Sequence, residues 1–159
     1  MPLTAWGGIV AAVTAILIVV VYCWTTRAPC SWSSSGTFTA TSRYLPGETI
    51  TFARMRNAGG PLPSTTTMIR SKEGSSYRFT FVQFLDGTCR AYIRHCPSYG
   101  ARDRDLQGSH RLPDGRGGQY VCFRPEPRVP EQLVTIVAHW VNATDTYRRT
   151  GIFPSPAWA

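Results

Sequence analysis

The feature that most constrains this chain is an uncharged apolar run close to its beginning. Residues 5–24 read AWGGIVAAVTAILIVVVYCW and contain no charge, no Pro and one polar residue, Thr14. About twenty helical residues span roughly 30 Å, the thickness of a hydrocarbon core. Trp6 lies near one end of the run, and Tyr22 and Trp24 lie near the other, where aromatic rings favour the headgroup level. The run therefore predicts a transmembrane helix.

A cleaved signal peptide is the alternative for this run. Such peptides usually carry a basic n-region and an apolar stretch of about 7–15 residues. This chain starts MPLT, its apolar run is longer, and Pro29 follows the best candidate cleavage position. We therefore predict an uncleaved signal-anchor segment over residues 1–26 and one exported domain over residues 27–159.

Two opposing signals bear on the orientation of the anchor. Arg27 and Arg43 follow the run, and the positive-inside rule alone would keep the C-terminal part in the cytoplasm. The cysteines after the run and the sequon Asn142-Ala143-Thr144 are typical of exported domains. Large domains translocate largely regardless of charge. We predict a type II single-pass membrane protein with a lumenal or extracellular C-terminal domain and a glycan on Asn142.

An even set of cysteines follows the predicted anchor, namely Cys30, Cys89, Cys96 and Cys122. In an exported domain such a set favours two disulfides, for which three connectivities exist. Cys89 and Cys96 could pair only across a turn, because an extended run of that length spans about 23 Å. No CxxC pair occurs and the histidines lack zinc-like spacing, so no metal is predicted. Free buried thiols remain the alternative to disulfides.

A hairpin is the strongest local signal after the anchor. Residues 77–85 (YRFTFVQFL) and 88–94 (TCRAYIR) flank Asp86-Gly87, a pair that favours a two-residue type I′ turn. That turn predicts a core face made of three cross-strand pairs. They are Phe84 with Cys89, Val82 with Ala91 and Thr80 with Ile93.

The other face of the hairpin mixes aromatic and arginine side chains. Arg stacked on an exposed ring gains about 0.5–1 kcal/mol. We expect this face to be half-exposed, and it is the candidate contact surface. Its residues are Phe79, Phe81, Arg90, Tyr92 and Arg94.

Further strands are predicted over residues 37–43, 48–54, 65–70, 119–124 and 132–141, which are rich in Thr, Val, Ile and aromatic residues. Outside the anchor we find no long 3.6-residue apolar period with caps. The Gly-, Pro- and Arg-rich residues 97–118 are expected to form a long surface loop. The fold class predicted is an all-β, disulfide-stabilised sandwich of about six or seven strands.

An immunoglobulin-like form of this sandwich has partial support. Gly118-Gln119-Tyr120-Val121-Cys122 resembles the Gly-x-Tyr-x-Cys of an F strand, and residues 47–52 (GETITF) resemble a B strand. Arg54 stands near the place where the B-strand cysteine is expected.

Charge indicates partners more clearly than it indicates chemistry. The chain lacks GxSxG, HExxH, GxxxxGK[ST] and GxGxxG, and we predict neither an enzyme nor a cofactor. It carries 17 Lys+Arg against 9 Asp+Glu, and every basic residue except Lys72 is Arg, whose planar fork suits carboxylate, sulfate and phosphate. Outside a cell the polyanions are sulfated glycans and acidic protein surfaces. The anchor argues against nucleic acid as a partner.

Scattered segments carry a resemblance to a viral family. The chain starts MPL, opens its apolar run with WGGIV, places Cys30 soon after it, and later reads DGTCR at 86–90, VCFRP at 121–125 and LVT at 133–135. In this layout it resembles small type II envelope proteins of large DNA viruses, especially the C-type-lectin-like envelope protein of simplex-type alphaherpesviruses. The resemblance implies the virion envelope and host cell membranes as locations, and an α+β lectin-like fold as the alternative. No EPN, QPD or WND triplet occurs, so calcium-dependent sugar binding is not implied.

The prediction is a non-enzymatic viral envelope glycoprotein. It would assist the virus in entering cells, in fusion or in cell-to-cell spread through contacts with viral or host membrane proteins, and sulfated glycans are a further candidate partner. The alternative is an immune-evasion glycoprotein that binds a host receptor or ligand.

Overall fold

A computed structural model describes residues 36–42 and 45–154. Within these residues, seven strands and one helix follow one another: β1 (Thr37–Ser42), β2 (Leu45–Met55), β3 (Thr67–Arg70), β4 (Ser76–Phe84), β5 (Cys89–His95), β6 (Arg111–Pro113), β7 (Gln119–Val121) and α1 (Pro130–Thr150). The strands form one sheet in the order β1-β2-β4-β5-β7-β6, and β3 also pairs with β4. The β2–β4 pair is parallel, and the other pairs are antiparallel.

Strand β4 is the centre of this sheet. One of its edges is paired with β5. The other edge is shared, because β3 pairs with the first half of β4 and β2 pairs with the second half. Alternate side chains of β4 point to opposite faces of the sheet, and residues on both faces are buried. A strand covered on both faces reads as a nearly continuous apolar run, which explains the pattern YRFTFVQF.

Helix α1 covers one face of the sheet, called here the helix face. Its buried apolar residues recur every three to four positions, as one helical stripe requires: Leu133, Val134, Val137, Trp140 and Val141. Pro130 opens the helix, and Gly151 ends it with φ of 81°, a left-handed conformation that favours glycine. The ring of Trp140 lies edge-on to Tyr77 and Phe79, with centroids 5.8 and 5.9 Å away.

The helix corrects part of the predicted fold. Residues 132–141, predicted as a strand, lie inside α1. Their β-branched residues are typical of strands, but tertiary packing of one apolar stripe overrides that weak preference. The mostly-β character of the domain is confirmed, whereas a two-sheet sandwich is wrong for the described residues. One sheet and one helix form the two layers instead.

The β4–β5 hairpin also differs from its predicted register. The C=O of Phe84 accepts the N–H of Gly87 at 3.0 Å, and the N–H of Phe84 donates to the C=O of Thr88 at 2.9 Å. The loop is therefore Leu85-Asp86-Gly87, and only its last residue has a positive φ, of 86°. This is a three-residue connection ending in a bulge rather than a type I′ turn. It pairs Phe81, not Val82, with Ala91.

The one-residue shift gives the paired residues of β5 from Cys89 to Ile93 different partners on β4 from those predicted. Phe79 and Phe81 belong to the helix face together with Cys89 and Ala91. The predicted core set is therefore split: Val82 and Phe84 of β4 lie on the opposite face, called here the second face, whereas Cys89, Ala91 and Ile93 of β5 lie on the helix face. On the second face, Val82 and Phe84 form a small apolar cluster with other buried and half-buried residues. These are Met55, Tyr92, Tyr120, Ala58, Leu62 and Leu112.

The remaining predicted strands are confirmed with small changes of length, over 37–42, 45–55, 67–70 and 119–121. Strand β6, within the predicted loop 97–118, was not predicted. No helix among the described residues is long and apolar enough to cross a membrane. The predicted span, the domain boundary at residue 26 and Cys30 lie outside the described residues.

Removal of the Trp140 ring tests the packing of the two layers. We expect Trp140→Ala to lower the free energy of unfolding by about 3–5 kcal/mol, because the indole is 4 % exposed between two rings of β4. Ile152, just after the helix, is 72 % exposed, and Ile152→Ala should change it by less than about 0.5 kcal/mol. Urea unfolding followed by far-UV circular dichroism measures both. Equal effects would contradict this packing.

Candidate binding surface

Most acidic side chains of the described chain are used inside the fold. Asp86 accepts the N–H and hydroxyl of Thr88, and Asp114 accepts two backbone N–H groups of its own loop. Asp103 and Asp105 bind loop N–H groups in the same way. Because these carboxylates accept backbone N–H groups of turns and loops, few acidic side chains form ion pairs with the arginines.

In the part of the chain that the structure describes, ion pairs use three of the arginines. Arg90 pairs with Glu126 at 2.8 Å, Arg148 with Asp145 at 2.8 Å, and Arg149 with Glu73 at 3.3 Å. A larger group of arginines is exposed and makes no ion pair with any other described residue: Arg56, Arg70, Arg78, Arg94, Arg104, Arg116, Arg124 and Arg128. The folded domain therefore presents positive charge that its own acids do not balance.

Three of these arginines lie side by side across β3, β4 and β5. Arg78 is opposite Met68 on β3, and Arg70 is opposite Ser76, which places Arg70 diagonal to Arg78. On the other side Arg78 is opposite His95, where a bulge makes Arg94 the extra residue of β5. Neighbouring strands are about 4.8 Å apart and diagonal neighbours about 7–8 Å apart. Long side chains at these positions can contact a single ligand.

A cleft continues this arrangement beyond β5. Arg94 and Arg116 line it together with loop residues 58, 60–62, 114, 117 and 118, and its volume is about 550 Å³. The carboxylate of Asp114 is present at the cleft, but it accepts the N–H groups of Arg116 and Gly118 at 2.8 Å each. We call Arg70, Arg78, Arg94 and Arg116 the arginine row.

The structure separates the residues of the predicted contact surface. Phe79, Phe81 and Tyr92 are at most 1 % exposed, so the prediction that they line a contact surface is wrong. The register shift put the two Phe rings under α1, and Tyr92 lies beneath the loop that covers the second face. Arg90 is half-buried over the rings of Phe84 and Tyr120. Arg94 is exposed, as predicted.

Arg70, Arg78 and Arg116 were missed as candidates by sequence reasoning. Their signal was present, because Arg70 and Arg78 occupy the polar positions of two alternating strands. Only the strand pairing shows that they are neighbours of Arg94.

A buried polar cluster ties the β3–β4 turn to α1. Asp145, 2 % exposed, accepts hydrogen bonds from the hydroxyls of Ser71 and Tyr77, the latter at 2.6 Å. Arg148 completes the cluster with an ion pair to the same carboxylate. Burial alone would raise the pKa of Asp145, but the hydrogen bonds from Ser71, Tyr77 and Arg148 outweigh it and hold the pKa below its ordinary value. The carboxylate therefore stays ionised and acts as an internal tether.

The cysteines of the described chain are free thiols: Cys89, Cys96 and Cys122. Two disulfides among the predicted set would need a bond between two of these three, and the structure shows none. Cys89 begins the extended strand β5 and Cys96 follows its end, so a bond between them is excluded. Burial raises the pKa of Cys89 to about 11 and also raises that of Cys96. Both thiols therefore stay protonated at neutral pH.

The predicted glycosylation site lies in the middle of α1 rather than in a surface loop. The side-chain carbonyl of Asn142 accepts the N–H of Lys72 at 2.8 Å, and its amide donates to the C=O of Ala138 at 2.7 Å. In the folded domain the amide is therefore engaged on both sides. Glycosylation of Asn142 stays a prediction.

The polar cluster predicts a specific response to acid. A carboxyl whose folded pKa lies below its unfolded value stabilises the fold above that unfolded value, near 3.8, and the stabilisation is lost as the pH falls through the folded pKa. We expect Asp145→Asn to lower the free energy of unfolding at pH 7 by about 1–3 kcal/mol, because Ser71 and Tyr77 lose a charged acceptor. As the pH falls from about 5 through the folded pKa of Asp145, the free energy of unfolding of the variant should also decrease less steeply than that of the parent.

Glu48→Gln is the matched control for this experiment, because Glu48 is an exposed acid on β2. It should leave both the stability and its pH profile close to those of the parent chain. Denaturant unfolding at a series of pH values measures all three proteins. An Asp145→Asn profile parallel to that of the parent would contradict the tether.

Comparisons give no external guide to this surface. No family of known proteins, no curated protein and no solved structure matches the chain. Within residues 36–42 and 45–154, no group of three or more His, Cys, Asp or Glu residues could hold a metal ion. The arginine row is the candidate functional site of the described residues.

Proposed function

We propose that this chain is a non-enzymatic, membrane-anchored binding protein of a viral envelope. Its folded domain assists the virus in entering cells, in fusion or in cell-to-cell spread, by contacts with viral or host membrane proteins. The observation that carries the proposal is the unequal use of charge. The acids largely serve turns, ion pairs and the tether, while a larger group of exposed arginines makes no ion pair with another described residue.

Charge of this kind supports binding rather than folding. An exposed pair of opposite charges contributes only about 0–1 kcal/mol to stability, so unpaired surface arginines are not needed for the fold. Uncompensated charge of one sign raises the rate and the selectivity of encounters with a surface of the other sign. The domain is thus suited to meet acidic partners.

The membrane location of the proposal is supported by residues 1–26, which contain no charged side chain. The viral assignment is supported by the resemblance of scattered segments to small type II envelope proteins. The proposed topology is a single pass with the C-terminal domain outside the cytoplasm, in the virion envelope and in host cell membranes.

Capture of partners tests the proposed function. The full-length chain with a C-terminal tag, recovered in mild detergent from virions at physiological salt, should retain viral fusion glycoproteins. At about 0.5 M salt the capture should weaken, because exposed charges are then largely screened. Recovery of a host receptor without any viral protein would support the immune-evasion alternative. Recovery of neither would contradict binding through protein contacts.

Topology has its own test, which does not depend on Asn142. On intact cells, external protease should remove a C-terminal tag and leave an N-terminal tag intact, because we place only the N-terminus in the cytoplasm. Cells permeabilised with detergent are the control, in which both tags should be lost. Protection of the C-terminal tag on intact cells would show the opposite orientation.

A further inference from the structure

We infer that the arginine row, Arg70, Arg78, Arg94 and Arg116, is a binding site for a sulfated glycan chain. The inference goes beyond the protein contacts of the proposed function and rests on it in one respect, because sulfated glycans meet only an exported domain.

Placing these arginines together carries an electrostatic cost. Like charges repel one another when they are close neighbours across adjacent strands. Arg78 has Arg70 as a diagonal neighbour on β3 and Arg94 beside it on β5, and none of the three makes an ion pair with another described residue. A ligand that carries several anionic groups removes this repulsion on binding.

The shape of the row selects an extended ligand. It runs across three adjacent strands and continues through the cleft of about 550 Å³ that Arg94 and Arg116 line. A ligand that contacts the whole row must be extended and must carry anionic groups at intervals along its length. Guanidinium groups present a planar fork that binds the oxygens of sulfate in pairs.

The composition of this surface favours a glycan over a protein or a nucleic acid. Protein interfaces usually have a buried apolar centre with aromatic anchors, and single-stranded nucleic acids stack their bases on exposed aromatic rings. No Phe, Tyr or Trp side chain of the described chain is exposed, and Met68 is the one large apolar residue that is exposed within the strands β3, β4 and β5. A sulfated glycan needs neither feature, since charge and polar contacts suffice to hold it.

The test uses the full-length chain in detergent and immobilised heparin as the sulfated probe. Physiological salt is roughly 0.15 M, and the parent should elute at a salt concentration well above that value. The row variant Arg70→Gln/Arg78→Gln/Arg94→Gln should bind at least about tenfold more weakly, because three charge-assisted contacts are lost. The control variant Arg104→Gln/Arg124→Gln/Arg128→Gln removes the same charge elsewhere, and its affinity should fall by less than about threefold.

A further probe makes the result specific for sulfate. Heparin from which the sulfate groups have been removed should bind the parent weakly. Far-UV circular dichroism of both variants must match that of the parent, and the single change Arg78→Gln, at the centre of the row, replaces the row variant if it does not.

The inference is overturned by any of three results. The parent elutes at or below physiological salt, the row and control variants weaken equally, or desulfated heparin binds as well as heparin. None of these bears on the proposed function, which depends on capture of membrane proteins and on topology. Conversely, heparin binding by the row stands even where no viral glycoprotein is captured.

Discussion

The contact between Trp140 and the aromatic residues of β4 is the interaction on which the rest of this domain depends. The indole lies edge-on to Tyr77 and Phe79 and donates its N–H to the C=O of Ser109 at 3.1 Å. It thereby joins the helix, the central strand and the loop before β6. Because β4 carries β2, β3 and β5, the position of the helix on β4 fixes which sheet face is sealed and which keeps exposed charge.

A polar counterpart fixes the same two layers at the far end of the helix. Asp145 is buried, but its donors from the β3–β4 turn and from Arg148 replace the water that burial removes. The turn that this tether holds joins the strands carrying Arg70 and Arg78. Internal use of one carboxylate thus positions the positive surface, and the two roles of charge in this domain are linked.

Much of the sheet was accessible from the sequence, because period-two patterns and turn residues mark strands locally. The hairpin was located correctly at Asp86-Gly87, yet its register was wrong by one residue. That error follows from the turn alone: Asp-Gly suits a type I′ turn, but only Gly87 adopts a positive φ. Since side chains alternate along a strand, one residue was enough to place Phe79 and Phe81 on the wrong face.

The helix was also mispredicted from local sequence patterns, but for a different reason. Pro130, Gly151 and an apolar residue every three to four positions were all present in the sequence, but β-branched residues at 132–141 favour a strand over the same range. Competing local preferences of this size are decided by what the segment packs against. The sequence alone determined the uncharged first 26 residues, the arginine excess and most strands, because these are properties of composition and short-range period. Only the tertiary structure decided the register, the helix and the neighbourhood of Arg70, Arg78 and Arg94, because pairing between distant segments depends on packing that no local pattern contains.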